Sequence, residues 1–308
     1  MNNNYCSIQQ FQTLVELKDY RPKTKREYVR YVRRLAEHFQ RDPATLTEKD
    51  LRTYFLHLRQ QQKLGPSAMT IARAALRSFF RECLKLATDW SIFEDLHIRR
   101  TDPLPFVLSR AQVVQLIGAV REPRFHVCVK LMYHCGLRVG EAVQLQVQDV
   151  RARVTSPEVP RLLIRDAKGG KDRLVPLSDS MVADLRQWWL THRHPLWLFP
   201  SPGLSWKDSA RSFSHRLGQA TTHMSVSAVQ RAVLLARTQA GLPPQTTPHT
   251  LRHCFATHCL EEGLALRLIS QYLGHATLQT TLVYAHLTAV SDQKTRQVQE
   301  LLYQALKS

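Results

Sequence analysis

Apolar residues recur at helical spacing through the first hundred positions. Phe11, Leu14 and Leu17 begin one such face. After Pro22, Thr24 predicts the cap of a second helix that carries Tyr28, Tyr31, Leu35 and Phe39 on one side. Lys25, Arg26, Arg30, Arg33 and Arg34 lie on the other. Thr47-Glu48-Lys49-Asp50 opens a third helix with Leu51, Phe55 and Leu58. Pro66-Ser67-Ala68-Met69 opens a fourth, with Ile71, Leu76, Phe79, Phe80 and Leu84 inward and Lys63, Arg73, Arg77, Arg81 and Lys85 outward. The pattern predicts an all-helical domain over residues 1–103.

Arg99-Arg100-Thr101-Asp102-Pro103-Leu104-Pro105 then interrupts the helical pattern, because two prolines bar its continuation. A hinge is expected here, between residues 1–103 and 104–308. From Ser109 a helix runs through Val113, Val114, Leu116 and Ile117, and another through Val127, Val129, Leu131 and Met132 to Gly136. Between Leu162 and Leu177 two apolar runs flank Gly169-Gly170, which predicts a β-hairpin. Helical spacing returns at Met181, Val182, Leu185 and Trp188, and at Val226, Val229 and Val233, the latter helix carrying Gln230, Arg231 and Arg237. The stretch between them, from Ser201 to Ser225, is polar and contains Trp206. Val298, Leu301, Leu302 and Ala305 form a last stripe, typical of a short amphipathic helix. The expected fold class is mostly α with a small β-hairpin or sheet, a helical domain preceding a mixed α/β one.

Candidate chemistry gathers between His249 and Tyr284. Thr247-Pro248 reads as a helix cap followed by proline at the first helical position. His249 and Arg252, three apart, share a face of that helix. Gly263 and Gly274 end two successive helices, His275 sits just beyond the second stop, and Tyr284 closes a short segment that Thr277 is expected to cap. A guanidinium suits a bidentate grip on phosphate oxygens. Histidines donate to such oxygens or move protons, and a phenol is a nucleophile when its proton has somewhere to go. The set fits attack on a phosphate.

Charge agrees with that chemistry. The 308 residues hold 43 Lys and Arg against 25 Asp and Glu, a formal charge of +18. Residues 1–103 hold 19 basic and 12 acidic side chains, and the remaining residues 24 and 13, so both domains are basic. That distribution points to an extended polyanion held from more than one side. No apolar run approaches the roughly 18 residues a membrane span needs. The N-terminus lacks the basic flank and apolar core of a signal peptide, so a cytoplasmic, nucleoid-associated protein is expected. Six cysteines form no Cys-x-x-Cys pair and read as free thiols, mostly buried. Cys254 and His258 share a helical face, which leaves a metal site conceivable, but packing is the favoured reading and no metal or cofactor is expected.

The order His249-Thr250-Leu251-Arg252, Leu273-Gly274-His275, Tyr284 resembles box II of the tyrosine recombinases, the phage-integrase and Xer-like family. Gly136-Leu137-Arg138-Val139-Gly140-Glu141 resembles the family's box I. The hairpin is similar to its Gly-Lys-Gly-x-Lys-x-Arg element, with Ala167 in place of the first glycine. The resemblance implies a helical core-binding domain followed by a catalytic domain, and a site-specific DNA recombinase that works through a 3′-phosphotyrosyl intermediate without metal or ATP. It implies Arg138 and Arg252 as phosphate-binding arginines, oriented in the first case by Glu141. It implies Tyr284 as nucleophile, Lys168 as acid with Lys171 as the fallback, His249 as base and His275 as a phosphate donor. Lys25, Arg26, Arg30, Arg33, Arg73, Arg77, Lys171 and Arg231 are candidate DNA contacts, against the simpler reading of solvated helix faces. Double-stranded recombination sites are the expected partner. Four protomers are expected on paired sites, a second recombinase is conceivable beside them, and docking of the C-terminal helix in trans is left open. Two other readings stand: a type IB topoisomerase-like relaxing enzyme, and a DNA-binding regulator without catalysis.

Overall fold

The computed structural model describes residues 5–86, 90–98, 104–151, 159–167, 171–203, 212–275 and 277–285. The chain divides into two compact units, Met1–Pro103 and Leu104–Ser308. Residues 99–103 of the expected linker, the 168–170 hairpin turn with Lys168, Trp206 and the 293–308 stripe lie outside the described residues, as does the side chain of Lys171.

The first unit is helical: α1 (Cys6–Leu17), α2 (Pro22–Phe39), α3 (Glu48–Gln60), α4 (Pro66–Arg77) and the short α5 (Ile92–Asp95). Phe11, Val32, Leu35, Leu51, Leu58, Leu76, Phe79 and Phe80 form its centre, where Phe11 and Phe79 meet edge to face at 5.4 Å. Thr47 and Asp50 close a reciprocal capping box at the start of α3. Three expectations fail locally. Leu17, expected on the face begun by Phe11 and Leu14, is 82% exposed, since α1 turns Ile8, Phe11 and Val15 inward. Helix α2 begins at Pro22 with Arg21 as its cap, two residues before Thr24, because proline's fixed φ already suits the first helical position. Ile71 faces out, 38% exposed, and the inward stripe of α4 is Met69, Ala72, Ala75 and Leu76. Small alanines let that helix approach its neighbours closely, so the bulkier Ile71 is left on the rim. Beyond α4 the chain continues as a π-helical turn, Ser78–Cys83, which carries Phe79 and Phe80 into the core.

The second unit holds α6 (Arg110–Gly118), α7 (Pro123–Cys135), α8 (Val139–Val143) and three strands, β1 (Val150–Arg151), β2 (Arg161–Ala167) and β3 (Lys171–Pro176). Then follow α9 (Asp179–His192), α10 (Phe213–Gly218), α11 (Val226–Gln239), α12 (Pro248–Glu261), α13 (Leu266–Leu273) and α14 (Gln279–Ala285). The strands pair antiparallel in the order β1-β2-β3, with Leu162 opposite Val175 and a register irregularity between Ile164 and Ala167. The two-residue β1 had no periodicity to announce it. Leu162, Ile164 and Val175 pack with Cys128, Val129, Leu131 and Met132 of α7 and with Leu251 and Cys254 of α12. Val114 is 71% exposed, since α6 presents Val113 and Leu116 inward. A separate cluster of Phe255, Ala256, Ile269, Leu273 and Tyr284 ties α12, α13 and α14 together. No helix among the described residues is long and apolar enough to cross a membrane.

Candidate active site

Helix α12 is the frame of the site. Thr247 and Thr250 close its capping box, Pro248 takes the first turn, and the helix is buried along most of its length. Arg252 is 1% exposed, an extreme for a guanidinium. Its Nη1 donates to the Gly136 carbonyl at 2.8 Å and its Nη2 to the Leu273 carbonyl at 2.6 Å. Both carbonyls end helices, α7 and α13, where backbone acceptors go unpaired. Burial, then the charge of Arg138, pulls Arg252 below its ordinary value, while Glu141 and Tyr284 oppose the shift. A guanidinium so placed remains a cation at neutral pH.

The end of α7 explains one glycine. Gly136 adopts a left-handed conformation with φ of 62°, and a Cβ there would sit 2.4 Å from Phe255 Cδ1 and 2.8 Å from Leu273 Cδ2. Only glycine lets α7 stop beside α12 while its carbonyl meets Arg252.

Arg138 follows at the start of α8. Glu141 accepts from the Arg138 backbone N–H at 2.9 Å and from its Nη1 at 2.7 Å. Glu141 also receives Arg173 of β3, Nη2 at 2.8 Å and Nη1 at 3.1 Å. Arg173 then donates its Nε to the Tyr272 carbonyl at 2.6 Å, one residue before Leu273-Gly274-His275. Burial alone would raise the Glu141 carboxyl, but Arg173 first, then Arg138, overcome it and hold it down at about 2. Glu141 thus joins the hairpin, the Arg138 turn and the end of α13. Sequence reading gave Arg173 no role. Its position inside the Lys-x-Arg hairpin element, on a strand next to a glycine-ended helix, was the only signal.

Tyr284 lies on α14 at 4% exposure. Its hydroxyl meets Nδ1 of His253 at 2.9 Å. His249, expected as the base, is not the histidine bonded to the phenol. Its ring packs edge to face on His253, 4.5 Å between centroids. Residues four apart on a helix stack along one face, so the i, i+4 pair His249 and His253 was legible in principle. His275 shares its Nδ1 with the Thr281 hydroxyl at 2.8 Å and lies nearly parallel to the Tyr284 ring, 6.4 Å and 12°. Burial pushes His253 and His275 down to about 4, with His249 and Arg252 adding to the first and Arg252 and Arg138 leading the additions to the second. His249 is lowered too, by partial burial and then by Arg252 and Arg138. Burial raises the Tyr284 phenol, and Arg252 and Arg138 partly offset it. Three neutral imidazoles, a buried phenol and two guanidiniums are therefore gathered at one place whose chemistry is fitted to an anion.

The remaining expectations divide. Cys254 and His258 are committed elsewhere: the Leu108 N–H donates to Cys254 Sγ at 3.2 Å, and His258 bonds the Leu108 carbonyl at 3.0 Å and the Tyr133 hydroxyl at 2.8 Å. With both ring nitrogens engaged, His258 has no lone pair to offer a metal. Thr277 meets Thr280 through its hydroxyl at 3.2 Å at the start of α14. In the first unit, Lys25, Arg26, Arg30, Arg33 and Arg34 line a groove of about 1010 Å³ with Glu16 and Glu37. Lys25 pairs with Glu16 at 2.9 Å and Arg30 with Glu27, whereas Arg26 and Arg33 are exposed and bond no other described residue. Arg73 is half-buried and donates to the Leu96 carbonyl at 3.2 Å, and Arg77 and Arg231 are exposed.

Comparison with known proteins shows the family. Residues 107–290 match the phage integrase family, and residues 8–90 match the phage integrase N-terminal SAM-like domain. The chain is similar to the tyrosine recombinase XerA of Pyrococcus horikoshii, 30% identical over 91% of this chain and 89% of that protein. Among solved structures it resembles the XerH site-specific recombinase bound to a palindromic difH substrate, at a TM-score of 0.70 and 20% identity, covering 98% of this chain and 86% of that one. It also resembles a lambda integrase tetramer bound to a Holliday junction, at a TM-score of 0.69 and 15% identity, over 90% and 76% of the two chains. At those identities the structures speak for the fold.

Proposed function

This chain belongs to the phage integrase family and is a tyrosine site-specific recombinase, and we propose that it cleaves and rejoins duplex DNA through a covalent 3′-phosphotyrosyl intermediate at Tyr284. The observation that carries the proposal is the placement of a buried phenol among Arg252, Arg138 and three uncharged imidazoles. In that setting Tyr284 attacks the scissile phosphorus, and Arg138 and Arg252 hold the non-bridging oxygens as charge builds in the pentacoordinate transition state. Each preorganised donor of this kind contributes a factor on the order of 10² to 10³. His275, steadied by Thr281, is the further donor to phosphate. Lys168 or Lys171, on the hairpin, supplies the proton to the departing 5′-oxygen. The covalent bond conserves the phosphodiester energy, so the cycle runs without ATP or metal. The groove on α2, through Arg26 and Arg33, holds backbone phosphates of the same duplex. The named lambda integrase structure is a tetramer on a Holliday junction, and four copies of this chain on paired sites fit an exchange in which two protomers cleave at a time.

The test is covalent trapping. Native protein and Tyr284→Phe are mixed, with and without chelator, with nicked duplexes tiled across the DNA flanking the protein's own gene, and resolved under denaturing conditions. A DNA-shifted band from native protein alone is expected, with DNA binding kept by Tyr284→Phe. Binding without any covalent band would favour a regulator instead, and loss of the band with chelator would remove the metal-free mechanism.

A further inference from the structure

We infer that His253 is the group that takes the proton of Tyr284 during attack, its Nδ1 accepting and its Nε2 carrying the ring hydrogen. The inference rests on the recombinase reading above and names the base within that site. Among the described imidazoles, His253 is the one whose nitrogen meets the nucleophile, 2.9 Å from Tyr284 Oη. His275 has its Nδ1 on Thr281 and offers the phenol a ring face, 6.4 Å between centroids. His249 packs edge to face on the ring of His253, and its hydrogen bonds among the described residues do not include one to the phenol. A general base must lie within hydrogen-bond reach of the proton it removes, and His253 alone of the three does.

The charged and titratable groups facing His253 set its state. His249 and Arg252 come from its own helix and Tyr284 from α14, while Arg138, at the start of α8, acts on the phenol and on His249. Burial, then His249 and Arg252, keep the imidazole neutral at neutral pH, and with its ring hydrogen on Nε2 the phenol donates and Nδ1 accepts. The phenol, raised by burial, does not ionise unaided. When the phosphodiester anion arrives between Arg138 and Arg252, its negative charge favours the imidazolium and strengthens the base at the moment of use. The step balances. The Tyr284 Oη–phosphorus bond forms and the phosphorus–O5′ bond breaks, its electron pair leaving on O5′. O5′ takes a proton from the hairpin lysine, and the phenol proton moves to His253. On rejoining, a 5′-hydroxyl attacks, its proton returns to the lysine, and the His253 imidazolium reprotonates the departing phenolate.

Single-turnover cleavage of the same nicked duplexes, from about pH 6 to about pH 10, tests the assignment with native protein, His253→Ala, His253→Gln, His249→Gln and a Tyr284→Phe blank. Native cleavage should change little with His253's ionisation across that range. Both His253 variants should be about 10²-fold slower near neutral pH, and should recover about tenfold per pH unit as hydroxide replaces the base. Unchanged rates, a loss equal at every pH, or the climbing profile in His249→Gln instead would overturn it. If native protein gives no adduct on any duplex, the recombinase reading fails first, which is a separate outcome. Nitrogen-15 spectra of the native histidines add a readout independent of cleavage. An Nε2–H tautomer for His253, with an Nδ1 signal that shifts in Tyr284→Phe, is expected, and an Nδ1–H tautomer would overturn the inference.

Discussion

Arg173 and Glu141 meet through two hydrogen bonds, 2.8 and 3.1 Å, with only 6% and 9% of their side chains exposed. The same arginine holds the Tyr272 carbonyl, and the same carboxylate holds Arg138, so one ion pair links the hairpin to the Arg138 turn and to the end of α13.

Truncating one partner of such a pair leaves the other charged, buried and underpaired, which costs about 3–5 kcal/mol. Arg173→Ala is expected to destabilise the second unit by that much. Arg173→Lys, which keeps the charge but loses the fork, should fall between it and the native protein. Denaturant unfolding of the full chain measures both. A change within error for Arg173→Ala would mean that the pair is replaced by water at little cost.

Acid should act through the same carboxylate. Its folded value is depressed to about 2, so its contribution is fully present above the ordinary carboxylate range and is lost as pH falls toward about 2. A shift of this size corresponds to about 3 kcal/mol at most. Unfolding free energies measured at steps from about pH 6 to about pH 3 should fall for the native protein and fall less steeply for Glu141→Gln. Identical slopes would assign the acid sensitivity to other groups.

Arg26 and Arg33, exposed in the α2 groove, should behave as phosphate contacts. Replacing each by alanine is expected to weaken binding to all duplexes similarly and to reduce the slope of log affinity against log salt by about 1 per residue. Lys25 and Arg30, already paired with Glu16 and Glu27, should matter less. Titrations at several salt concentrations decide, and an unchanged slope for Arg33→Ala would place the duplex elsewhere.

Local rules made much of this legible in one dimension. Helix starts at Thr47 and Ser109, the cap at Thr247 and the stop at Gly136 follow from backbone groups a few residues apart, and the structure keeps them. The order of Arg138, His249, Arg252, His275 and Tyr284 was likewise readable, because chemistry tied to motif spacing survives without knowledge of packing. Ile71 and Val114 turned outward because which apolar residue a helix buries depends on the neighbour it meets, and that neighbour is distant in sequence. The partners of each functional side chain were decided at the same level. Arg173 reaches Glu141 across 32 positions, Arg252 reaches Gly136 across 116, and His253 reaches Tyr284 across 31. Residue order alone nominates the groups that can react. Only the closing of α12 against α7, α13 and α14 determines which carbonyl satisfies a buried guanidinium and which imidazole stands beside the phenol, because hydrogen bonds are settled by positions a few tenths of an ångström apart in space.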